Sequence, residues 1–501
     1  MFDDVHFGAE GFEDVAMVAA QANAAAAVLV DRMTAATRTE NRAAGERLVA
    51  VSELDLVRLR QWGEEPTWCS GTQASIAAEI AAALRVSRNW AESYLYYARA
   101  MRLRLPKVGV LLCGGDISYA AFRTIVYRTD LITDPAILAS VDARLAQRAV
   151  RWPPRSRGKL AGYVDKVVAR ADADAVRQRR GQQAGREFSI WDAGNGLCDV
   201  FGRLISTDAH VVDARLDALA ATVCDADPRT RKQRRADALG ALAAGADRLA
   251  CRCQNPHCLA AGKPVPSAVV INVIAEQATL DGTGSAPGSL IGADVLIPPE
   301  LLLDLAGAAK LRPLAPWIDA APEPGYRPSK ELAKFVRFRD LTCRFPGCDE
   351  PAINCELDHT TAYADGGATH ASNLKALCKK DHLVKTFWGW QDTQLPDGTV
   401  IWTAPSGHTY VTTPGSALLF PALCAPTAEL DPPEPKTGDR CADRTAAMPK
   451  RRHTRAENHA RYIAAERRKN RQTRETRKAA RQAAGLGPAP PADPDDDPPP
   501  F

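Results

Sequence analysis

The residues that decide the fold of the C-terminal half lie between positions 343 and 382. The stretch contains Cys343-Arg-Phe-Pro-Gly-Cys348, Cys355-Glu-Leu-Asp358-His359, Asp365-Gly366-Gly367, Asn373-Leu-Lys-Ala-Leu-Cys378 and Asp381-His382. Thiol, imidazole and carboxylate groups are the side chains that bind metal ions and transfer protons. Their density predicts a small metal-binding unit that carries a catalytic site.

The order and spacing of these groups resemble those of the HNH nucleases. His359 and Asn373 are 14 positions apart, and Asn373 and His382 are 9 apart, and both gaps fit that family. The resemblance implies a ββα-metal fold, in which a β-hairpin lies against one helix. It also implies a nuclease that uses a divalent cation.

The chemistry of phosphodiester hydrolysis assigns a role to His359. The reaction needs a base that deprotonates water and positive charge beside the developing negative oxygens. An imidazole titrates close to working pH, so His359 is the predicted general base. The resemblance implies that Asp358 and His382 bind the catalytic ion, Mg²⁺ or another divalent cation, and that Asn373 orients the base and braces the loop. Strand alternation alone would point Asp358 and His359 to opposite sides unless the strand end twists, whereas the resemblance implies that both converge on the site.

The cysteines of the same stretch predict a structural zinc ion. A hairpin and one helix bury little apolar area, so a tetrahedral zinc would stabilise them. Cys343, Cys348 and Cys378 are the predicted ligands, in a C-x4-C opening wider than the common C-x-x-C. The fourth ligand is Cys355 or Asp381, the latter standing where the related proteins carry Cys or His. The alternative is a set of buried thiols without zinc.

A second cysteine cluster precedes this unit. Cys251, Cys253 and Cys258 lie within eight residues, next to His257. Cysteine clusters in a reducing compartment favour metal sites over disulfides, so this loop is a candidate second zinc site. A surface loop with free thiols is the alternative.

Basic side chains indicate a polyanionic partner, which we expect to be DNA. Lys375, Lys379 and Lys385, on or near the last helix of the unit, are the predicted phosphate contacts, although a solvated helix face explains them as well. The segment 450–481 holds thirteen Lys or Arg against three Glu, whereas the whole chain has a net charge of only +4. We expect this tail to bind nucleic acid without sequence preference, or to be a solvated tail.

The 501 residues are too many for one hydrophobic core. The predicted fold is mainly α with minor β: a large helical N-terminal region, a small α+β HNH domain and a disordered basic tail with a possible helix inside it. The predicted parts are a helical domain at 1–180, an α+β continuation at 181–312, a Pro-rich linker at 313–328, the HNH domain at 329–415 and the tail at 425–501. This arrangement resembles actinobacterial proteins that join a helical domain of unknown function to an HNH module.

Smaller patterns refine this arrangement. Residues 188–204 alternate around a turn and predict a hairpin, and 269–274 predict a buried strand. Residues 74–99 could be a DNA-reading helix-turn-helix through Arg88, Asn89 and Arg99, or two ordinary packed helices.

The sequence as a whole predicts a cytoplasmic, metal-dependent DNA endonuclease. The opening Met-Phe-Asp-Asp lacks a basic n-region, and the apolar stretch 15–30 is shorter than a membrane span. The sequence does not define the oligomeric state. The rival hypothesis is a zinc-stabilised nucleic-acid-binding protein whose nuclease site has decayed.

Overall fold

In a computed structural model, the chain folds into two units. One comprises Met1–Gln178 with Arg440–Phe501, and the other is Arg179–Asp439. The structure describes residues 10–149, 157–177, 187–194, 197–258, 260, 272–292, 295–307, 309–314, 316–430 and 448–484.

The first unit is helical, as predicted from its Ala- and Leu-rich spacing. Its helices are α1 Glu10–Trp62, α2 Thr72–Leu84, α3 Arg88–Leu103, α4 Pro106–Gly114, α5 Tyr119–Thr129, α6 Pro135–Ala149 and α7 Arg157–Ala171. Leu48, Ile76, Leu95 and Phe122 are fully buried in one core. Apolar positions repeated every three or four residues place these side chains on the inner faces of the helices.

The pair α2 and α3 corresponds to the helix-turn-helix considered above. Arg88 is buried and donates to the backbone oxygen of Ala74, whereas Arg99 makes two hydrogen bonds to Asp55 at 2.6 and 3.0 Å. Two of the three candidate DNA-reading side chains therefore hold the helices together, which favours ordinary packed helices.

The second unit begins with a hairpin and two helices. Antiparallel strands β1 (Glu187–Gly194) and β2 (Leu197–Arg203) confirm the predicted hairpin, whose turn residues 195–196 lie outside the described residues. Helices α8 (Ser206–Ala220) and α9 (Arg231–Ala243) follow and pack on each other.

A three-stranded antiparallel sheet and two short helices complete the region before the HNH stretch. The elements are β3 Val273–Ile274, α10 Gln277–Leu280, β4 Gly288–Leu290, β5 Val295–Ile297 and α11 Pro299–Ala306. Within the described part, the strand predicted over 269–274 is reduced to β3, and residues 269–271 lie outside the described residues.

The elements around the predicted HNH stretch are α12 Lys330–Asp340, β6 Glu356–His359, β7 Leu374–Leu377, α13 Lys379–Phe387, β8 Gln391–Gln394, β9 Val400–Thr403 and β10 Thr409–Thr412. Ser329 caps α12 by accepting a hydrogen bond from the Leu332 N–H, as its sequence position predicts. Helix α12 buries Phe335 and Val336 against Leu374 of β7. Strands β8, β9 and β10 form an antiparallel sheet beside this core.

Two charged residues join α12 to β7. Arg339 donates to the backbone oxygens of Ala371 and Leu374, and Asp340 accepts from the Ala376 N–H at 2.8 Å. Arg339 also pairs with Asp340 itself. These buried groups satisfy backbone atoms that the short hairpin leaves open, so they fix its position on the helix.

The described part of the segment predicted as a Pro-rich linker is hydrogen-bonded to residues that follow it in the second unit. The Glu323 N–H donates to the Thr369 oxygen, and the Asp319 N–H donates to Thr427. The Glu323 carboxylate accepts from Ser329 at the start of α12. Prolines break regular structure, but they do not prevent a segment from packing along a surface.

The basic tail contains the helix that the sequence analysis allowed inside it. Residues Arg455–Ala483 form a helix, α14, which starts with a capping box at Thr454 and Glu457. Ile463 reaches the core of the first unit, and Asn470 donates to the backbone oxygens of Asp174 and Val176 at 2.7 Å. This part of the tail is therefore ordered, and the rest of the predicted tail from 431 to 447 and from 485 on lies outside the described residues.

Among the helices of the described ranges, none is long and apolar enough to span a bilayer.

Candidate active site

Strands β6 and β7 and helix α13 form a ββα unit. The strands are antiparallel, with Asp358 opposite Lys375 and His359 opposite Leu374. Helix α13 starts one residue after Cys378 and packs on β6. This arrangement brings Asp358, His359 and His382 into the same small domain although 24 positions separate Asp358 from His382.

Asp358 faces helix α13. Its Oδ1 lies 3.3 Å from Nε2 of His382, and its Oδ2 accepts from Nζ of Lys375 and of Lys385 at 2.7 and 2.6 Å. The other imidazole nitrogen of His382, Nδ1, lies 2.8 Å from a Glu356 carboxylate oxygen. The structure thus brings the two predicted metal ligands together and orients the histidine from behind.

The charges around Asp358 control its ionisation. Burial by itself raises the pKa of this carboxyl, but the attraction of Lys375, the hydrogen bond to His382 and the attraction of Lys385 outweigh it and hold the pKa far below its ordinary value. The hydrogen bond to Asp358 raises the pKa of His382. Asp358 is therefore a carboxylate over the whole physiological range, as a metal ligand must be.

His359 has entirely different neighbours. Its ring stacks on Tyr326, with centroids 5.3 Å apart, and its Nε2 lies 3.0 Å from the Thr369 hydroxyl oxygen. That hydroxyl donates its own proton to the backbone oxygen of Gly325 at 2.6 Å. Because the hydroxyl has only one proton, Nε2 of His359 must be the donor in their contact, which leaves Nδ1 as the basic nitrogen of the neutral ring.

The ionisation of His359 suits a base. Burial lowers the pKa of the imidazole. The positive charges of Lys375 and Lys385 also lower this pKa, whereas the negative charge of Asp358 raises it. The ring is thus kept in its neutral form, which can accept a proton.

Asn373 braces the loop between the two strands. Its amide donates to the backbone oxygens of Thr361 and Ala368 at 3.0 and 2.9 Å, and its Oδ1 accepts from the Thr361 N–H at 2.8 Å. Gly367 lies so close to this loop that a Cβ would be 1.8 Å from the Thr361 oxygen. The structure places Asn373 in the bracing position that the family resemblance implies.

Lys375 does not occupy the position of a phosphate contact. Its side chain is completely buried, and its Nζ lies 2.7 Å from Asp358 and 2.6 Å from Asp392. Lys385 is largely buried too and pairs with the same two carboxylates. Of the three predicted phosphate-binding lysines, only Lys379 is exposed, and Lys380 beside it is exposed as well. Asp358 and Asp392 are the counterions of these buried lysines. The sequence alone does not show that a lysine on a strand will acquire such partners.

The cysteines form a four-ligand cluster with Asp381. The ligand atoms of Cys343, Cys348, Cys378 and Asp381 all lie within 4.8 Å of one another. The sulfurs of Cys348 and Cys378 are 3.9 Å apart, and Zn–S bonds of about 2.3 Å in a tetrahedron require roughly 3.8 Å. Cys355 instead directs its thiol to the backbone oxygens of Glu350 and Pro351. The Asp381 carboxylate thus stands in the four-ligand cluster, whereas Cys355, whose thiol also contacts Cys343, is not a member of it.

The pair Asp358 and His382 also has suitable spacing for a cation. Adjacent ligands of an octahedral ion with bonds of about 2.1 Å are roughly 3 Å apart, close to the observed 3.3 Å. A carboxylate oxygen and an imidazole nitrogen suit Mg²⁺, Mn²⁺ or a later transition metal. The two side chains would hold such an ion, and water and phosphate would supply its other ligands.

Several residues of these sites carry no signal in the sequence. Thr369 and Asp392 are ordinary polar residues in the chain, and only folding brings them to His359 and to the lysines. Tyr326 lies in the Pro-rich segment and was not expected at the site. Cys224, a single cysteine 27 positions before Cys251, joins the second cysteine cluster.

A ββα unit with a histidine and carboxylate pair beside a cysteine cluster defines the HNH class of nuclease domain. Residues 342–387 match the HNH endonuclease model, and residues 35–340 match a domain of unknown function, DUF222. The chain belongs to the DUF222 family and carries an HNH domain after the DUF222 domain. The predicted combination of a helical N-terminal domain of unknown function with an HNH module is confirmed.

The chain is similar to several proteins of Mycobacterium tuberculosis. It is 43% identical over 469 residues to uncharacterized protein Rv3776, covering 88% of this chain and 89% of the relative. It is 42% identical over 485 residues to uncharacterized protein Rv2100, covering 88% and 87%. A shorter relative, the uncharacterized protein in est 3'region, is 38% identical over 62% of this chain and 95% of its own length. No solved structure matches the chain.

Proposed function

We propose that the protein is a metal-dependent endonuclease that hydrolyses phosphodiester bonds in DNA. The observation that carries the proposal is the arrangement at the end of β6: Asp358 meets His382 at 3.3 Å, while the adjacent His359 presents a basic Nδ1. An ion ligand and a proton acceptor on neighbouring residues are the two parts that the reaction needs.

The chain's own groups act as follows in this proposal. Nδ1 of His359 takes the proton from the attacking water, and Thr369 holds the ring in the required tautomer. Asp358 and His382 hold the divalent ion, Mg²⁺ being the expected one, which supplies Lewis-acid stabilisation of the negative charge on the phosphate and on the leaving oxygen. Lys379 and Lys380, exposed at the start of α13, are positioned to contact phosphates. The Cys343 cluster holds a structural zinc ion that fixes α13.

One observation favours a second function, that of a nucleic-acid-binding protein with a decayed nuclease site. Lys375 and Lys385 both contact Oδ2 of Asp358, and two ammonium groups beside a carboxylate weaken its attraction for a cation. Only Oδ1 then faces His382. In this alternative the protein keeps the zinc cluster and its affinity for DNA, but added Mg²⁺ does not cause cleavage.

The test is nicking of supercoiled plasmid by the purified full chain with Mg²⁺ or Mn²⁺, compared with His359→Ala. A positioned base contributes roughly 10² to 10⁴-fold to the rate, so the variant should lose at least a hundredfold. His408→Ala is the matched control, because His408 is an exposed histidine of the same domain and should leave nicking unchanged. Equal cleavage by His359→Ala contradicts the assignment, and DNA binding without any cutting by the unmodified chain favours the second function.

A further inference from the structure

A second cysteine cluster lies outside the HNH domain. Cys224 is in the turn after α8, and Cys251, Cys253 and Cys258 are in the loop after α9. The four sulfurs all lie within 4.8 Å of one another, and those of Cys224 and Cys251 are 3.5 Å apart. Each thiol is partly shielded from solvent. Four thiols at this spacing match the donor set of a tetrahedral structural zinc site.

Hydrogen bonds also hold the backbone around the cluster. Asp227, whose side chain is fully buried, accepts from the backbone N–H groups of Arg229 and Arg252 at 3.0 and 2.9 Å. The Arg229 guanidinium pairs with Asp227 and donates to the backbone oxygen of Ala250 at 2.7 Å. These bonds tie the turn that carries Cys224 to the loop that carries the other three cysteines, so the backbone itself makes the sulfurs converge.

A third tie lies at the base of the loop. The Leu249 N–H donates to the Thr222 hydroxyl at 2.8 Å, and the Cys251 N–H donates to the backbone oxygen of Ala260. Folding therefore places the four thiols on one side of a preformed loop, which lowers the entropy that binding an ion costs.

The apolar core of this region is too small to explain such order. Between residues 206 and 258, the buried apolar side chains are Leu219, Ala220, Val223, Ala238, Ala246 and Leu249. Three of the six are alanines. Small folded regions with so little apolar burial ordinarily depend on disulfides or a bound metal.

We propose that Cys224, Cys251, Cys253 and Cys258 bind one structural zinc ion that joins the turn after α8 to the loop after α9. Cys224 completes the set that the sequence left at three thiols, and His257 is not required. The site belongs to the DUF222 domain, and the proposal does not depend on the proposed nuclease activity.

The test is the zinc content of the full chain, purified under reducing conditions and measured by inductively coupled plasma mass spectrometry. Cys224→Ser should contain one zinc equivalent fewer than the unmodified chain. Cys198→Ser is the matched control, because Cys198 is an exposed cysteine on β2 that belongs to neither cluster, and it should lose no zinc. Cys258→His retains a zinc-binding atom and should keep the full content, which separates ligand loss from general misfolding.

A second measurement uses the unmodified chain alone. Titration with a mercurial reagent should release zinc in step with modification of the four thiols, and peptide mapping of an untreated sample should recover these cysteines as free thiols. Zinc content unchanged by Cys224→Ser, iron in place of zinc, or a disulfide between Cys224 and Cys251 in the reduced preparation would each overturn the proposal.

Discussion

The two sides of strand β6 differ in the kind of force that organises them. On the helix side, Asp358 is held by full charges, two ammonium groups and an imidazole. On the loop side, His359 is held by a neutral hydroxyl and a stacked tyrosine ring. The proposed ion ligand and the proposed base therefore have different hydrogen-bond partners, although the charges of Asp358, Lys375 and Lys385 act on both. The two sets of contacts can be changed one at a time.

Removing the charge on the helix side should have the largest effect. Asp358→Asn keeps the side-chain shape but loses the anionic ligand, and Lewis-acid stabilisation amounts to several kcal/mol. We expect the nicking rate with Mg²⁺ to fall by at least about a hundredfold, with DNA affinity largely retained. Asp349→Asn, at an exposed acidic residue of the same domain, is the control and should nick at the normal rate. A normal rate in Asp358→Asn would show that this face holds no catalytic ion.

Substitution of the buried Lys375 tests whether the charges on the helix side of β6 also stabilise the fold. Lys375→Met removes the fully buried one of the two cations that Asp358 and Asp392 share, and removal of one partner of a buried pair costs about 3–5 kcal/mol. We expect hydrogen exchange of the β6 and β7 amides, followed by mass spectrometry, to accelerate correspondingly. The same change at exposed Lys379 should shift stability by less than about 0.5 kcal/mol. Equal exchange in the two variants would contradict a structural role for Lys375.

A substitution on the loop side, next to His359, should lower the nicking rate less. Thr369→Val removes the acceptor that fixes the Nε2–H tautomer of His359, and a neutral hydrogen bond contributes about 1 kcal/mol. The expected result is a fall in nicking rate of roughly fivefold to tenfold with unchanged DNA affinity.

Thr369→Ser restores the hydroxyl, so it should recover most of this rate. The control, Thr409→Val, changes an exposed threonine on β10 and should nick normally. If the Val and Ser variants at position 369 were equally active, the tautomer would be set by something other than this hydroxyl.

The smallest expected effect is on DNA affinity, from the basic side chains of α14 outside the HNH domain. Helix α14 uses Arg467, Arg471 and Arg474 in ion pairs with Asp172 and Asp174, so deleting the tail would remove packing as well as charge. Glutamine at exposed basic positions is the cleaner change. The suitable positions are Arg461, Arg468, Lys469, Arg477 and Lys478.

Binding to plasmid fragments across a salt series measures the contribution of these side chains. The slope of log affinity against log salt should flatten by about 0.9 for each phosphate that the protein no longer neutralises. Arg467→Gln, at a paired position, should leave the slope as it is. An unchanged slope in the multiple variant would remove α14 from the DNA-binding surface.

The sequence predicted the local parts of the site well, because they depend on short spacings. The gaps between His359, Asn373 and His382 supported the family resemblance that implied the ββα unit, and Ser329 predicted the start of α12. The three thiols of the HNH cluster were also identified, and only the choice between Cys355 and Asp381 needed the structure.

The sequence did not predict the long-range partners. Thr369 and Asp392 have no distinguishing pattern, and Cys224 is too far from Cys251 for a spacing rule to connect them. The docking of α14 was missed because Ile463 and Asn470 are the few buried residues of an otherwise polar helix. Lys375 looked like a phosphate contact since the sequence does not show which lysines acquire buried counterions.

The most direct test of the account is to locate the catalytic ion. Crystals of the full chain grown with Mn²⁺ would show it by anomalous scattering. The account predicts one Mn²⁺ bound by Oδ1 of Asp358 and Nε2 of His382. Mn²⁺ bound elsewhere, or Asp358 and His382 still paired with each other without an ion, would contradict it.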